Sequence, residues 1–197
     1  MIQFFKQLYF TNRLFLLIGG IVALFIVSFF FDFLVVLPKL LFFSLVGTVV
    51  VDCIRLFRVR KGVDGARVTP EKLSNGDQNE LLIELTNFYT FPILLDIIDE
   101  IPHQFQVRDH HHSLSMKSGE KETLAYYLRP VKRGEYSFGA LNVFASSNIG
   151  LVKRRFRFSE NKMVPVYPSY LQMRQYELIA ISNRLVDLGI KKIRKIG

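Results

Sequence analysis

The stretch "LRPVKRGEYSFGALNV", Leu128–Val143, decides how the soluble part of this chain folds. Leu124, Tyr126 and Leu128 alternate on one face of a strand, and Pro130 stops it, because proline cannot donate to a strand ladder. Val131–Gly134 then reads as a turn. Tyr136 and Phe138 point one way, whereas Leu141, Val143 and Ala145 have the opposite parity. A one-residue slip reverses every side chain that follows. Gly139 sits at the slip, so it marks a β-bulge or a strand break. Lys132-Arg133-Gly134 reads as a hairpin turn with solvated charges.

Period-two patterns extend to both sides of this stretch. Ala66–Thr69 is a short strand ended by Pro70, and "LSNGDQ", Leu73–Gln78, is an Asn-Gly turn. Leu81, Ile83 and Leu85 share one face, with Glu84 and Thr86 on the other. Asn87–Thr90 turns the chain. Phe91, Ile93, Leu95 and Ile97 share the next face, and "DEIP", Asp99–Pro102, breaks that strand. Val152, Phe156 and Phe158 oppose Lys153, Arg155 and Arg157, and Val164 and Val166 make a last strand before Pro168. Short strands with frequent turns predict an antiparallel sandwich of about seven strands. Ser169 followed by Gln172 resembles a capping box. Leu171, Leu178, Ile181, Leu185 and Leu188 predict a helix after it, followed by a basic tail from Lys191.

The first 61 residues follow a different rule. Residues 1–54 hold 11 of the 19 Phe, and only Lys6, Arg13, Asp32, Lys39 and Asp52 as charges. Leu14–Phe31 is 18 residues without a charge. As a helix it rises about 27 Å, near the hydrocarbon thickness of a bilayer. It is too long for a signal-peptide core, and no small-residue cleavage site follows. A second apolar run, Phe33–Val51, follows at once. Two membrane spans are expected, about 14–31 and 35–54, joined by a turn near Asp32–Lys39. Lys6 and Arg13 precede the first span, and Arg55, Arg58, Arg60 and Lys61 follow the second. Positive flanks stay inside, so both termini and the sandwich are expected in the cytoplasm. Arg55, Arg58, Arg60 and Lys61 also form a candidate contact for anionic lipid. Three units follow: a transmembrane hairpin over 1–61, a cytoplasmic sandwich over 62–168, and a helix with a basic tail over 169–197.

Few residues invite chemistry. The chain has 26 Lys and Arg against 17 Asp and Glu, a net charge of +9. One Cys, Cys53, excludes an internal disulfide and a Cys-based zinc site, and is read as a small membrane-packing residue. His110-His111-His112 with Asp109 or Asp99 is the only candidate metal or hydrolytic group. Consecutive histidines diverge on a strand or helix, so a polar loop tip is expected there. Asp99-Glu100 could form a carboxylate pair, but beside Pro102 they read as a turn, and His103 as a strand or turn residue. No nucleotide-binding, nucleophile-elbow or metalloprotease motif occurs, so no cofactor and no catalytic residue are expected. Lys153–Arg157 could meet phosphates. No aromatic platform lies between those charges, so nucleic acid is not expected as a partner.

These segments together resemble a known family. "VVVDCIRLFRVR" and "RVTPEKLSNGDQNELLIELTN" are followed in order by "DEIP", "LRPVKRGEYSFGALNV", "SSNIGLVKR" and "VPVYP". In that order they are similar to bacterial proteins of the domain of unknown function 58 family. The resemblance covers about residues 40–170. Arg133-Gly134, Gly139 and the Val-Tyr-Pro segment ending at Pro168 are its most specific parts. It implies an immunoglobulin-like sandwich ahead of a von Willebrand factor A-like domain. It also implies a role in membrane-linked assembly, beside MoxR-type AAA+ ATPases, at the bacterial inner membrane. Full-length relatives continue into the A-like domain and this chain ends at Gly197, so a truncated family member is expected. The metal-adhesion residues of that domain have no counterpart here. The reading is a membrane-anchored, mainly β scaffold that is not an enzyme, with two alternatives: a lipid- or nucleic-acid-binding module using Lys153–Arg157 and Arg55–Lys61, and after it a metal-dependent enzyme using His110–His112.

Overall fold

The computed structural model describes residues 2–107, 111–159, 161–169 and 180. The chain starts with a short helix α1 (Ile2–Gln7) and a strand β1 (Leu8–Phe10). Two antiparallel helices follow, α2 (Asn12–Ser28) and α3 (Val36–Arg58). Thr11 caps α2, its hydroxyl accepting the Leu14 N–H. The first apolar helix thus stops at Ser28 rather than Phe31. There Phe29 and Phe30 donate to Ile26 and Val27, three residues back, which tightens the helix end. A 3-10 turn at Asp32–Leu34 leads into α3. Pro38 does not interrupt that helix, because it lies in the first turn, where its missing N–H has no helical partner.

The remaining strands are β2 (Val63–Val68), β3 (Leu73–Ser74), β4 (Asn79–Asn87), β5 (Ile93–Asp99) and β6 (His111–Met116). They continue with β7 (Lys121–Leu128), β8 (Gly134–Phe138), β9 (Leu141–Ser146), β10 (Val152–Phe158) and β11 (Lys162–Tyr167). One sheet has the order β1-β10-β9-β5-β6. Two three-stranded sheets, β2-β4-β7 and β3-β11-β8, complete a mainly β sandwich. Their inner faces share one core: Leu81, Ile83 and Leu85, then Leu95 and Ile97, then Phe138 and Val164. Burying each such side chain stabilises the fold by roughly 1.5–3 kcal/mol.

Several expectations need correction. There are more than seven strands, and one pair is parallel, Val166 opposite Leu73. Val131–Gly134 is not a hairpin turn. β7 pairs with β4 and β8 pairs with β11, so residues 129–133 carry the chain between sheets. Lys132, Arg133 and Gly134 are exposed as expected, and Gly134 has φ 136°. Gly139 is a strand break, where the chain leaves β8 and enters β9 in the other layer. Its φ is not in the left-handed region. Glycine is needed because a Cβ there would lie 2.5 Å from Glu100 Oε2 and 2.7 Å from Glu100 Cβ.

His111 and His112 lie in β6, opposite Ile98 and Ile97, and not at a loop tip. Alternating polar residues in "HHSLSM" hid a strand whose Leu114 and Met116 face inward. His110 and Asp109 lie outside the described residues. So does the expected helix from Ser169 with its basic tail, apart from Ser169 and Ala180. Ser169 is buried, and its hydroxyl donates to Asp77 Oδ2 at 2.6 Å.

Candidate functional site: the junction of helices and sandwich

Thr11 and Asp52, two polar residues of the apolar head, converge where the two helices meet the sandwich. Asp52 lies near the end of α3, one charge in a run of Val and Ile, and is 0 % exposed. Its carboxylate accepts the Ser147 hydroxyl at 2.5 Å and the Leu151 and Val152 N–H groups at 3.1 Å each. Thr11 holds the other side of the same segment, its hydroxyl donating to the Gly150 carbonyl at 2.8 Å. The loop 147–152 is thus clamped by the start of α2 and the end of α3. A buried carboxylate is tolerable only with such donors around it.

Arg154 completes the junction. It is 7 % exposed and donates to the carbonyls of Leu56 (2.9 Å), Val59 (2.6 Å) and Arg60 (3.1 Å). These are carbonyls that the end of a helix leaves without partners, and a cation there also meets the negative end of the helix dipole. The guanidinium lies between the rings of Phe57 and Phe156, 4.9 and 4.6 Å from their centroids. Its Nε reaches Gln7 Oε1 at 3.3 Å, which ties in α1. Tyr89 donates to the Leu56 carbonyl at 2.8 Å. Its ring lies flush against Gly62, where a Cβ would come within 2.1 Å. Burial pushes the Tyr89 phenol above its ordinary range.

Arg154 shares strand parity with Val152 and Phe156, so it faces inward. That parity was readable in "VKRRFRF", but the residue it serves lies about 95 positions earlier. Lys153 is bound to Asp96 at 2.5 Å, and Arg155 donates from Nε and Nη2 to Asn142 Oδ1. Lys153, Arg154 and Arg155 are therefore engaged within the protein. Of the juxtamembrane cluster, Arg55 stacks over Phe91, 4.6 Å from its centroid, while Arg58, Arg60 and Lys61 are exposed.

The carboxylates considered for chemistry are structural. Asp99 is buried, bound by the Arg67 guanidinium and by the Tyr126 hydroxyl at 2.5 Å. Burial and the Asp99 charge raise the Tyr126 phenol far above its ordinary range. Glu100 accepts the Ala140 N–H at 2.9 Å, which, with Asn142, holds its carboxyl below the usual range. Asp99 faces the core and His111 the outer face, so the two do not meet. His111 Nε2 lies 3.6 Å from Asp96 Oδ1 instead. Among the described residues no three His, Cys, Asp or Glu side chains form a metal-sized group. A groove of about 680 Å³ runs along the outer face of the five-stranded sheet, between Phe10 and Arg13 on one wall and Leu94, Ile98 and His111 on the other.

No protein-family model matches the chain, and no curated protein matches it. Solved structures share parts of the strand arrangement. The ASH/PapD-like domain 7 of human CEP192 is 14 % identical, over 55 % of this chain and 87 % of that one, with a TM-score of 0.42. The CARDB domain of the PF1109 protein from Pyrococcus furiosus is 12 % identical, over 53 % and 87 %, with a TM-score of 0.36. The C-terminal domain of wzt is 15 % identical, over 55 % and 75 %, with a TM-score of 0.37. At these TM-scores the likenesses carry no argument about function.

Proposed function

We propose that this chain is a non-enzymatic scaffold anchored in a bacterial inner membrane by α2 and α3, with both ends and the sandwich on the cytoplasmic side. Among the described residues, α3 is the one helix long and apolar enough to cross a membrane by length and composition. The apolar α2, 17 residues, is its partner in the proposed hairpin. The immunoglobulin-like character of the sandwich and membership of the domain of unknown function 58 family belong to this proposal, as does a MoxR-type AAA+ ATPase partner.

One observation carries the reading: Asp52, Arg154 and Thr11 fasten the sandwich to the same end of both helices. A tethered domain needs no such lock. A scaffold that must present its faces at a fixed height and angle to the membrane does. The lock also puts the start of α2 and the end of α3 on one side, in accord with the basic flanks at Arg13 and Arg58.

Topology and role are tested together. In a Cys53→Ser background, a reagent confined to the periplasm should label a cysteine at Phe33 and miss one at Gly65. A photo-crosslinker at Leu94, on the open sheet face, should capture a discrete partner in cells. Inverted labelling removes the orientation, and a crosslinker that captures nothing removes the scaffold role.

A further inference from the structure

We propose that α1 and the exit of α3 form one composite surface that binds anionic lipid headgroups. The inference rests on the membrane reading above and names the lipid class for that same junction. Residues 2–13 and 53–61 hold six basic residues and no acidic one. They are some fifty positions apart in sequence, yet two contacts bring them together. Phe4 packs on Phe57, ring centroids 4.4 Å apart. Arg154 binds Gln7 on one side and the carbonyls of Val59 and Arg60 on the other. The helix that carries Lys6 therefore docks at the end of α3 that carries Arg58, Arg60 and Lys61, and all four are exposed.

Chemistry then selects the occupant. The described residues offer the side chains of Lys6, Arg58, Arg60 and Lys61 no hydrogen bond or ion pair. Phe5, next to Lys6 in the chain, is an apolar ring 69 % exposed. Cations with apolar rings at the mouth of a membrane helix match a phosphodiester above an acyl chain. Arg55, by contrast, is held over Phe91 and contributes less than sequence position suggests. Lys6, absent from the juxtamembrane run, takes its place.

Native mass spectrometry of the full chain in detergent micelles tests this, with phosphatidylglycerol and phosphatidylcholine as probes. The four bases together should favour the anionic lipid by roughly tenfold or more. Lys6→Gln with Arg58→Gln, Arg60→Gln and Lys61→Gln should abolish the preference. Lys132→Gln with Arg133→Gln, on the distant crossover, should leave it intact. Equal uptake of both lipids by the unaltered chain, or a preference surviving the fourfold change, overturns the proposal. So does inorganic phosphate displacing the lipid, which would mean an anion site without lipid specificity. Retention of the same chain in vesicles after alkaline carbonate extraction reports on the anchor alone. A chain that is retained without lipid preference sinks this inference and leaves the anchor standing, whereas an extracted chain sinks the anchor.

Discussion

Leu16 on α2 is 76 % exposed, whereas Leu81 on β4 is 0 % exposed, although both lie in apolar segments. The hairpin shows its side chains outward almost all round, with Leu14, Ile21 and Ser28 the buried residues of α2. The sandwich shows the opposite, with one face inward and one outward along β4 and β5. In water the hairpin would be an aggregation hazard. The proposed anchor would give the contrast its reason, with the two regions built for different solvents. Their joint must then be polar and internally satisfied, since neither apolar packing rule covers it.

The largest effect should come from breaking that joint. Asp52→Ala leaves two backbone N–H groups buried without an acceptor, and should cost roughly 3–5 kcal/mol. Urea unfolding in detergent, followed by circular dichroism of the strands, measures it. A loss within error would mean the loop 147–152 is not clamped. Next comes the direct comparison. Leu81→Ala should cost roughly 2–5 kcal/mol by cavity formation. Leu16→Ala should shift the same transition by under about 0.5 kcal/mol, because Leu16 is 76 % exposed. Equal losses would mean that the hairpin's outer face is covered.

Gly139→Val should cost about 1–3 kcal/mol, since the new atoms collide with Glu100 where the chain changes layers. Because the clash and not a backbone angle is responsible, Glu100→Gly should recover part of the loss. A Gly139→Val penalty unmoved by Glu100→Gly points to the backbone instead. The smallest effect is electrostatic. Tyr126 has a raised pKa in the fold. A raised value contributes stability that is complete below the unfolded pKa, about 10, and is lost as pH climbs toward the folded value. Stability should fall above about pH 10, and Tyr126→Phe should flatten that fall while costing about 1 kcal/mol at neutral pH. An alkaline slope that Tyr126→Phe does not change assigns the loss to another group.

Much of the sandwich was legible because its rule is local. Alternation placed Leu81, Ile83 and Leu85 inward, and the parity slip at Gly139 marked a bulge or break, which the structure resolves as a break. The joint was not legible, because its rule is not local. Nothing near Asp52 says that its acceptors face Leu151 and Val152. β6 stayed hidden because its serines and histidines mask two inward residues. β1 stayed hidden because three residues are too few to show a period, and only the pairing of Leu8 with Arg154 makes them a strand.

That pairing imposes an order on biosynthesis. Phe10 can meet Val152 only after the ribosome has added the intervening 141 residues. At about 5–20 residues per second, that interval is roughly 7–30 s. During it, β1 has no ladder partner and Thr11 no Gly150 carbonyl to hold. The first ten residues are thus among the earliest made, yet β1 is placed only after β10 has been added. Their docking completes the five-stranded sheet, a step that cannot begin until β10 has been made.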